Sequence, residues 1–217
     1  MGGGTPKQYR PIGGVPIVLR ALRPFAAHPD IVQVVLVLPQ EDAAEPPGFL
    51  SGFCAAPGSA GCSIVAGGLH RGDSVRAGLA ELKETCRVVL VHDGARPFVD
   101  RDVIDAVIGY ARNGEGAVAA VPLADTLKEA SRREPSRVFR TRPRARLWRT
   151  QTPQGFPRDI LVQAYQRAAR LNRRATDDAA LVEALGVPVR LVPDSIRNLK
   201  ITTAEDLELA ELLAAEP

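Results

Sequence analysis

The order of apolar and polar positions along the chain predicts buried strands alternating with amphipathic helices. Nearly continuous apolar runs, typical of strands buried on both faces of a sheet, lie at 31–38, 62–66, 87–92, 117–121 and 188–192. Apolar residues recur at helical spacing over about 15–27, 73–84, 102–112, 158–170, 177–185 and 204–214. We interpret 39–61 as irregular, with at most a short helical turn, and 199–202 as a short strand. This alternation predicts an α/β, Rossmann-like fold with a mostly parallel sheet flanked by helices.

One stretch interrupts the alternation. Residues 124–150 contain two prolines and eight arginines, and from 131 onward a single acid, Glu134, accompanies those arginines. Because the net charge of the whole chain is only +3, the basicity is local and the remainder is acidic. A nucleic-acid surface would need basic residues over a wider footprint, so an anionic small-molecule site or a solvated projection is favoured. We interpret 124–150 as an extended β-arm inserted into a single domain, 1–217.

Composition narrows the class of protein. With 217 residues, 45% of them hydrophobic and 24% charged, the chain is typical of one globular domain. No apolar run approaches the ~18 residues that cross a bilayer, and the N-terminus has no apolar signal region, so we expect a cytoplasmic protein with no membrane partner.

The cysteines, Cys54, Cys62 and Cys86, are odd in number and form no CxxC pair, which predicts neither a disulfide framework nor a zinc site. We expect Cys62 and Cys86 to be small core residues.

The stretch LVHDGARP at 90–97 carries the first candidate chemistry. In open α/β sheets, ligands bind outside the carboxyl ends of the strands, where Asp93 and Arg96 would project. A carboxylate there can hold Mg²⁺ or a substrate hydroxyl, and a guanidinium can hold phosphate. The alternative is that Asp93 only closes a turn and that Arg96 is a surface charge.

Two glycine-rich stretches are candidate phosphate loops. The first, 2–4, precedes Lys7, although a flexible terminus would have the same composition. The second, GGLHRGDS at 67–74, follows a strand and opens a helix, which is the context of a nucleotide site, although Asp73 or Ser74 could simply cap that helix. Lys200 lies in an apolar segment, where a solvated surface lysine remains the alternative.

Taken together, the motifs form an ordered set. They are PKQY at 6–9, GGLHRGDSV at 67–75, VHDGARP at 91–97, DTLK at 125–128, RLWRTQTPQGF at 146–156, TDDAALVEALG at 176–186 and NLKIT at 198–202. Their order and spacing closely resemble the 2-C-methyl-D-erythritol 4-phosphate cytidylyltransferases of the non-mevalonate isoprenoid pathway. The resemblance covers Thr5 to the C-terminus. It implies that the phosphate of methylerythritol phosphate attacks the α-phosphorus of CTP and releases pyrophosphate.

The same resemblance implies roles for individual residues. Lys7 and Lys200 match catalytic lysines, and Mg²⁺ bound to Asp93 would bridge the phosphates. The residues that match the nucleotide site are Gly3, Gly4, Lys7, Gly68 and Ser74. Those that match the methylerythritol phosphate site are Asp93, Arg96, Thr126, Arg144, Thr152 and Lys200. The family's arm reaches into a partner subunit, so a homodimer formed by arm exchange is implied, with Arg142 and Arg146 as alternatives to Arg144.

The sequence also departs from the family pattern. The family begins with a strand and a glycine-rich loop carrying an arginine, whereas this chain begins at the tail of that loop, so the first strand is expected to be missing. Two further functions stay open, one because of shared motifs and one because of the expected missing strand. One is a ribitol 5-phosphate cytidylyltransferase, which shares the fold and the PKQ and aspartate-arginine motifs. The other is a truncated, non-catalytic nucleotide-binding protein.

Overall fold

The helices and strands follow the predicted alternation over most of the chain. The computed structural model describes residues 6–56, 61–173 and 176–215. The helices are a 3₁₀ turn at Lys7–Tyr9, α1 Ile17–Ala26, α2 Gln40–Ala44, α3 Gly48–Ala55, α4 Arg71–Ala80, α5 Arg101–Arg112, α6 Arg158–Arg170, α7 Ala179–Glu183 and α8 Ala204–Ala215. The strands are β1 Pro11–Ile12, β2 Val15–Pro16, β3 Gln33–Leu38, β4 Gly61–Ala66, β5 Val88–Val91, β6 Gly116–Pro122, β7 Leu127–Ala130, β8 Val138–Arg142, β9 Trp148–Pro157 and β10 Val189–Pro193.

The central sheet is mixed, so the prediction of a mostly parallel sheet was wrong. Its strand order is β10-β6-β9-β5, and β9 runs antiparallel to both of its neighbours. Strand β10 pairs with β6 in parallel, and a separate two-stranded sheet joins β3 to β4 in parallel. The ten-residue β9 was not predicted because its first residues, 148–150, continue the polar arm segment. Residues 151–156 of this strand are buried at the centre of the sheet.

Helices cover both faces of this central sheet. On one face, Phe156 of β9 packs with Leu161 and Tyr165 of α6 and with Val182 of α7. On the other face, α5 lies so close to β9 that a Cβ added at Gly155 would come within 2.3 Å of a Val107 methyl carbon. Burying apolar side chains on both faces stabilises such a sheet and fixes the positions of the strand ends.

Four local predictions were wrong. The segment predicted to be irregular, 39–61, contains α2 and α3, and 199–202 is not a strand. Cys54 and Cys62 form a disulfide that joins α3 to β4, so the expectation of no disulfide framework and that of Cys62 as a small core residue were both wrong. Cys86 is a buried free thiol, as expected.

A large apolar groove separates β3 from β5. It measures about 730 Å³ and is lined by residues of both strands and of helices α1 and α4. Among the described residues, β3 has β4 as its only strand neighbour and β5 has only β9. The facing edges of β3 and β5 therefore lie along the groove without a described strand between them.

The segment 124–150 forms an exposed hairpin before it enters the sheet. Strands β7 and β8 pair antiparallel, and every residue of β8 is exposed. Glu129 of β7 accepts from Arg140 at 2.7 Å and from Arg142 at 2.5 Å, so part of the arginine surplus is neutralised across the hairpin. In the part of the chain that the structure describes, no helix combines the length and apolar character needed to span a membrane.

Candidate active site

The turn after β5 places a carboxylate between two cationic side chains. The Nζ atom of Lys200 lies 2.9 Å from Oδ2 of Asp93, and the Nε atom of Arg96 lies 3.6 Å from the same oxygen. The Arg96 N–H donates to the Asp93 carbonyl at 2.9 Å, which closes the turn. Asp93 and Arg96 are therefore both turn residues and members of a charged cluster, and Lys200 joins them from a distant segment of the chain.

The charges around Asp93 determine its ionisation. Burial raises the pKa of the Asp93 carboxyl, but the ion pair with Lys200 and the charges of Arg96 and Arg71 outweigh it and hold that pKa below its usual value. The carboxylate is therefore ionised at neutral pH, and it is 19% exposed, so a ligand arriving from solvent can reach it.

Buried hydrogen bonds hold the shape of the turn. The ring Nε2 of His92 lies 3.0 Å from the Arg96 carbonyl, which can only accept, so Nε2 carries the proton. Nδ1 then accepts from the Thr152 hydroxyl at 3.1 Å, and that hydroxyl accepts from the Asp93 N–H at 3.0 Å. Burial lowers the pKa of His92 to about 4, so the ring is neutral and its tautomer is fixed. Thr152 is thus joined to the backbone and to the side chain that shape the Asp93 turn.

Asn198 connects this turn to the end of β10. Its side chain is fully buried, and its amide donates to the Thr152 carbonyl at 2.9 Å and to Asp194 Oδ2 at 2.6 Å. Its backbone carbonyl accepts from Arg96 Nη1 at 2.7 Å and from Gln151 Nε2 at 2.9 Å. Because Asn198 precedes Lys200 by two residues, these bonds also restrain the backbone from which the Lys200 side chain extends.

The glycine-rich loop lies between β4 and α4. The Gly68 N–H donates to the Ser74 hydroxyl at 3.2 Å, and the His70 N–H donates to Asp73 Oδ2 at 3.3 Å. A Cβ added at Gly68 would lie 2.3 Å from the Cβ of Asp73, so only glycine allows this close approach. Ser74 and Arg71 line the apolar groove together with Asp93 and Gly94, which places the loop and the Asp93 turn at one end of that groove.

Other predicted residues lie apart from this cluster or outside the described chain. Gly3 and Gly4 lie outside the described residues. Lys7 begins the exposed 3₁₀ turn, and its neighbour Gln8 lines the groove. Thr126 and Arg144 lie on the exposed hairpin segment, where Arg144 donates to the Ala124 carbonyl. Within the described ranges, no hydrogen bond or ion pair joins Thr126 or Arg144 to the Asp93 turn.

The chemistry of the donors limits how a metal could bind. The described part of the chain contains no group of three or more histidine, cysteine, aspartate or glutamate side chains arranged to hold a metal. Mg²⁺, however, is commonly held by one or two carboxylates together with substrate phosphates. The single accessible carboxylate of Asp93 therefore fits a metal that arrives with a nucleotide, and it does not fit a closed protein site.

Sequence reasoning missed three residues that build the site: His92, Gln151 and Asn198. Each is polar and lies within two residues of a predicted site residue. That proximity was the available signal, because a polar side chain that is buried beside a site is normally hydrogen-bonded.

A glycine loop ahead of a helix and a charged turn at the sheet edge define an α/β protein of the nucleotidyltransferase type. A crystal structure of 2-C-methyl-D-erythritol 4-phosphate cytidylyltransferase from Thermus thermophilus matches this fold with a TM-score of 0.81 at 37% identity, covering 98% of this chain and 95% of that one. The sequence model of the family IspD, 2-C-methyl-D-erythritol 4-phosphate cytidylyltransferase, matches residues 1–216. The chain belongs to this family, as its motifs predicted.

Individual relatives agree with this assignment. The 2-C-methyl-D-erythritol 4-phosphate cytidylyltransferase of Syntrophus aciditrophicus is 41% identical over 217 residues, which cover 97% of this chain and 88% of that protein. A bifunctional enzyme IspD/IspF from Desulfotalea psychrophila is 41% identical over 206 residues. That match covers 95% of this chain and 51% of the relative, so the chain spans about half the length of its bifunctional relatives.

Proposed function

We propose that the chain transfers CMP from CTP to 2-C-methyl-D-erythritol 4-phosphate, releasing pyrophosphate, as a step in isoprenoid precursor biosynthesis. The observation that carries the proposal is the pairing of Asp93 with Lys200 at 2.9 Å, beside the glycine loop, in a member of this cytidylyltransferase family. A phosphate oxygen of the sugar phosphate attacks the α-phosphorus of CTP. The bond from that phosphorus to the bridging oxygen breaks, and pyrophosphate leaves with the electron pair.

Positioning and charge neutralisation account for catalysis of such a transfer. Lys200 and Lys7 supply ammonium groups to the phosphate oxygens, where negative charge is concentrated in the transition state. Arg96 has one guanidinium nitrogen committed to the Asn198 carbonyl and its Nε 3.6 Å from Asp93, so its other terminal nitrogen is the donor left for the sugar phosphate. Asp93 orients Lys200 in the absence of substrate and holds the acceptor when substrate is bound.

The nucleotide occupies the loop side of the site. Gly68 and Ser74 contact the cytidine, and the family motif assigns Gly3 and Gly4, which lie outside the described residues, to the triphosphate. In the free protein, the Gly68 N–H and the Ser74 hydroxyl bond each other at 3.2 Å, so nucleotide binding exchanges this bond for bonds to the ligand.

Mg²⁺ is the proposed metal, held by Asp93 and by the phosphates of CTP. When bound there, the ion withdraws charge from the phosphate oxygens and holds the triphosphate in one geometry. Asp93 is suited to this role because its lowered pKa keeps it ionised and because it is accessible.

A homodimer formed by arm exchange is the proposed assembly. The hairpin exposes large apolar residues, among them Val138 at 54% and Phe139 at 63%, and a partner subunit would cover them. In such a dimer, Thr126 and Arg144 would complete the sugar phosphate site of the other subunit.

Subunit mixing tests the exchange. Arg144→Ala and Lys200→Met are each expected to be inactive alone, because each homodimer lacks one residue at both sites. Refolding the two together would create mixed dimers with one intact site, and activity would return to roughly a quarter of the wild-type value. No recovery, although mixed dimers are detected, would show that both residues act within one chain.

The groove between β3 and β5 is the proposed place of one further parallel strand. Its apolar lining, its volume of about 730 Å³ and the two unpaired strand edges support this, and Gln8 at its lining puts the start of the described chain beside it. A version extended upstream by about 20 encoded residues, the length of a strand and a loop, should unfold at higher denaturant and protect the β3 and β5 amides from exchange. Equal protection in the two versions would refute the added strand.

Comparison of acceptors tests the proposed reaction. Pyrophosphate release is measured with CTP and Mg²⁺ and with either methylerythritol phosphate or ribitol 5-phosphate, using the 217-residue chain and the extended chain. Turnover that depends on methylerythritol phosphate is expected. Preference for ribitol phosphate would move the chain to the other specificity, and CTP binding without turnover in both chains would favour a non-catalytic binding protein.

A further inference from the structure

A second, partly buried polar cluster adjoins the glycine loop. Its centre is Asp178, which immediately precedes α7 and is fully buried. Both carboxylate oxygens accept from the guanidinium of Arg71, Oδ1 from Nη1 at 2.9 Å and Oδ2 from Nη2 at 2.6 Å. Arg71 is the first residue of α4, so this bidentate pair joins the end of the glycine loop to the start of α7.

Two further side chains hold Asp178 in place. Tyr165 of α6 donates its hydroxyl to Oδ1. Gln154 of β9 accepts, through Oε1, the N–H groups of Asp178 at 3.1 Å and of Ala179 at 3.0 Å. Gln154 lies opposite Val91, the last residue of β5, which precedes Asp93 by two residues. The cluster therefore connects the loop to the centre of the sheet.

The Asp178 carboxylate shifts the pKa values of both side chains that bind it, Arg71 and Tyr165. Burial lowers the pKa of Arg71, but the hydrogen bonds and charge of Asp178 outweigh it and raise that pKa above its usual value. Burial and the Asp178 charge both raise the pKa of Tyr165, so its hydroxyl remains a donor. A buried carboxylate stripped of such partners is strongly destabilising, so these contacts are maintained together.

We propose that Arg71 and Asp178 form a positioning pair that fixes the loop 67–70 and the first turn of α4, 71–74, for nucleotide binding. This inference rests on the proposed function and adds two residues with no direct contact to the reacting atoms. The guanidinium fork of Arg71 is committed to Asp178, so it is not free to take a phosphate in the same way. Gly72, in the first turn of α4, lies against the Tyr165 ring, where an added Cβ would be 3.5 Å from Cε1, so this turn packs on the cluster.

Two conservative variants test the pair. Arg71→Lys keeps the charge and loses the bidentate fork, and Tyr165→Phe keeps the ring and loses the donor. Each should raise KM for CTP about tenfold, while kcat at saturating CTP and KM for methylerythritol phosphate change by less than about twofold, as expected for loss of binding geometry alone. The matched control is Arg190→Lys, which breaks the bidentate Arg190–Glu115 pair, with contacts of 2.9 and 2.8 Å, on an exposed surface.

A second measurement does not depend on turnover. Hydrogen exchange of the amides in 67–74 should quicken at least tenfold in Arg71→Lys, and it should not change in Arg190→Lys. An unchanged KM for CTP, or exchange no faster than in the control, would overturn the positioning role. If the wild-type chain releases no pyrophosphate, the proposed function fails, and the exchange measurement still decides whether the pair fixes the loop.

Discussion

Replacing Thr152 with valine would remove one hydroxyl and almost no volume. The side chain is 4% exposed, and its hydroxyl accepts from the Asp93 N–H at 3.0 Å and donates to His92 Nδ1 at 3.1 Å. Valine leaves both of those groups unpaired in a buried place, and each such loss costs about 1–3 kcal/mol. We therefore expect the free energy of unfolding of Thr152→Val to fall by about 2–6 kcal/mol.

Thr152→Ser is the matched control, because it keeps the hydroxyl and loses one buried methyl group, worth about 1 kcal/mol. Urea denaturation, followed by fluorescence of Trp148 and by circular dichroism, gives both free energies from the midpoints. The valine variant should be less stable than the serine variant, and its kcat should fall about tenfold or more, since loss of about 1.4 kcal/mol of transition-state stabilisation suffices. A valine variant as stable as the serine variant would refute the reasoning that the hydroxyl supports the Asp93 turn.

The remaining predictions concern the same network. The pKa of His92 is about 4 in the fold against 6.5 for a free histidine. Above pH 6.5 the ring is neutral in both the folded and the unfolded chain, so stability is full there. As the pH falls toward 4, the unfolded chain binds the proton first and stability is lost. Over that range, measured in metal-free buffer, unfolding free energy should drop by about 3 kcal/mol in the wild type and by less in His92→Asn. Lys200→Met should lower kcat by about 10²–10³-fold. Its melting temperature should fall only modestly, because the Lys200 side chain is 42% exposed and Asp93 keeps Arg96 at 3.6 Å, so a large stability loss with unchanged kcat would contradict the assignment. Asn198→Asp would place a carboxylate 2.6 Å from an Asp194 oxygen, so unfolding should become easier as the pH rises above about 5, and a pH-independent difference from the wild type would contradict that placement.

Local sequence patterns were sufficient for the elements whose apolar spacing is regular. Helix α5 begins at Arg101 and ends at Arg112, against the predicted 102–112, and α8 covers 204–215 against the predicted 204–214. At the start of α8, the Thr203 hydroxyl accepts from the Asp206 N–H at 3.2 Å, as an N-cap residue does. These features depend on neighbours within a few residues, which a sequence displays directly.

Features that depend on distant partners were not predictable from spacing. The antiparallel course of β9 is set by its pairing with β5 and β6, and the segment itself begins in the polar arm. The charged site was predicted in part, because motif resemblance named Asp93, Arg96, Thr152 and Lys200. The buried bonds of Asn198 that join them cross more than 40 positions of sequence, and no local pattern signals them.

The most direct test of the central claim is to follow the α-phosphorus of CTP. CTP labelled with ³²P at that position is incubated with Mg²⁺, methylerythritol phosphate and either the wild-type chain or Lys200→Met, and the labelled products are separated by chromatography. We expect the wild type to move the label into a cytidine diphosphate conjugate of methylerythritol and to release unlabelled pyrophosphate, and we expect Lys200→Met to form this product at least a hundredfold more slowly. Label that stays in CTP with the wild type would rule out the proposed transfer, and equal transfer by the two proteins would rule out the catalytic role of Lys200.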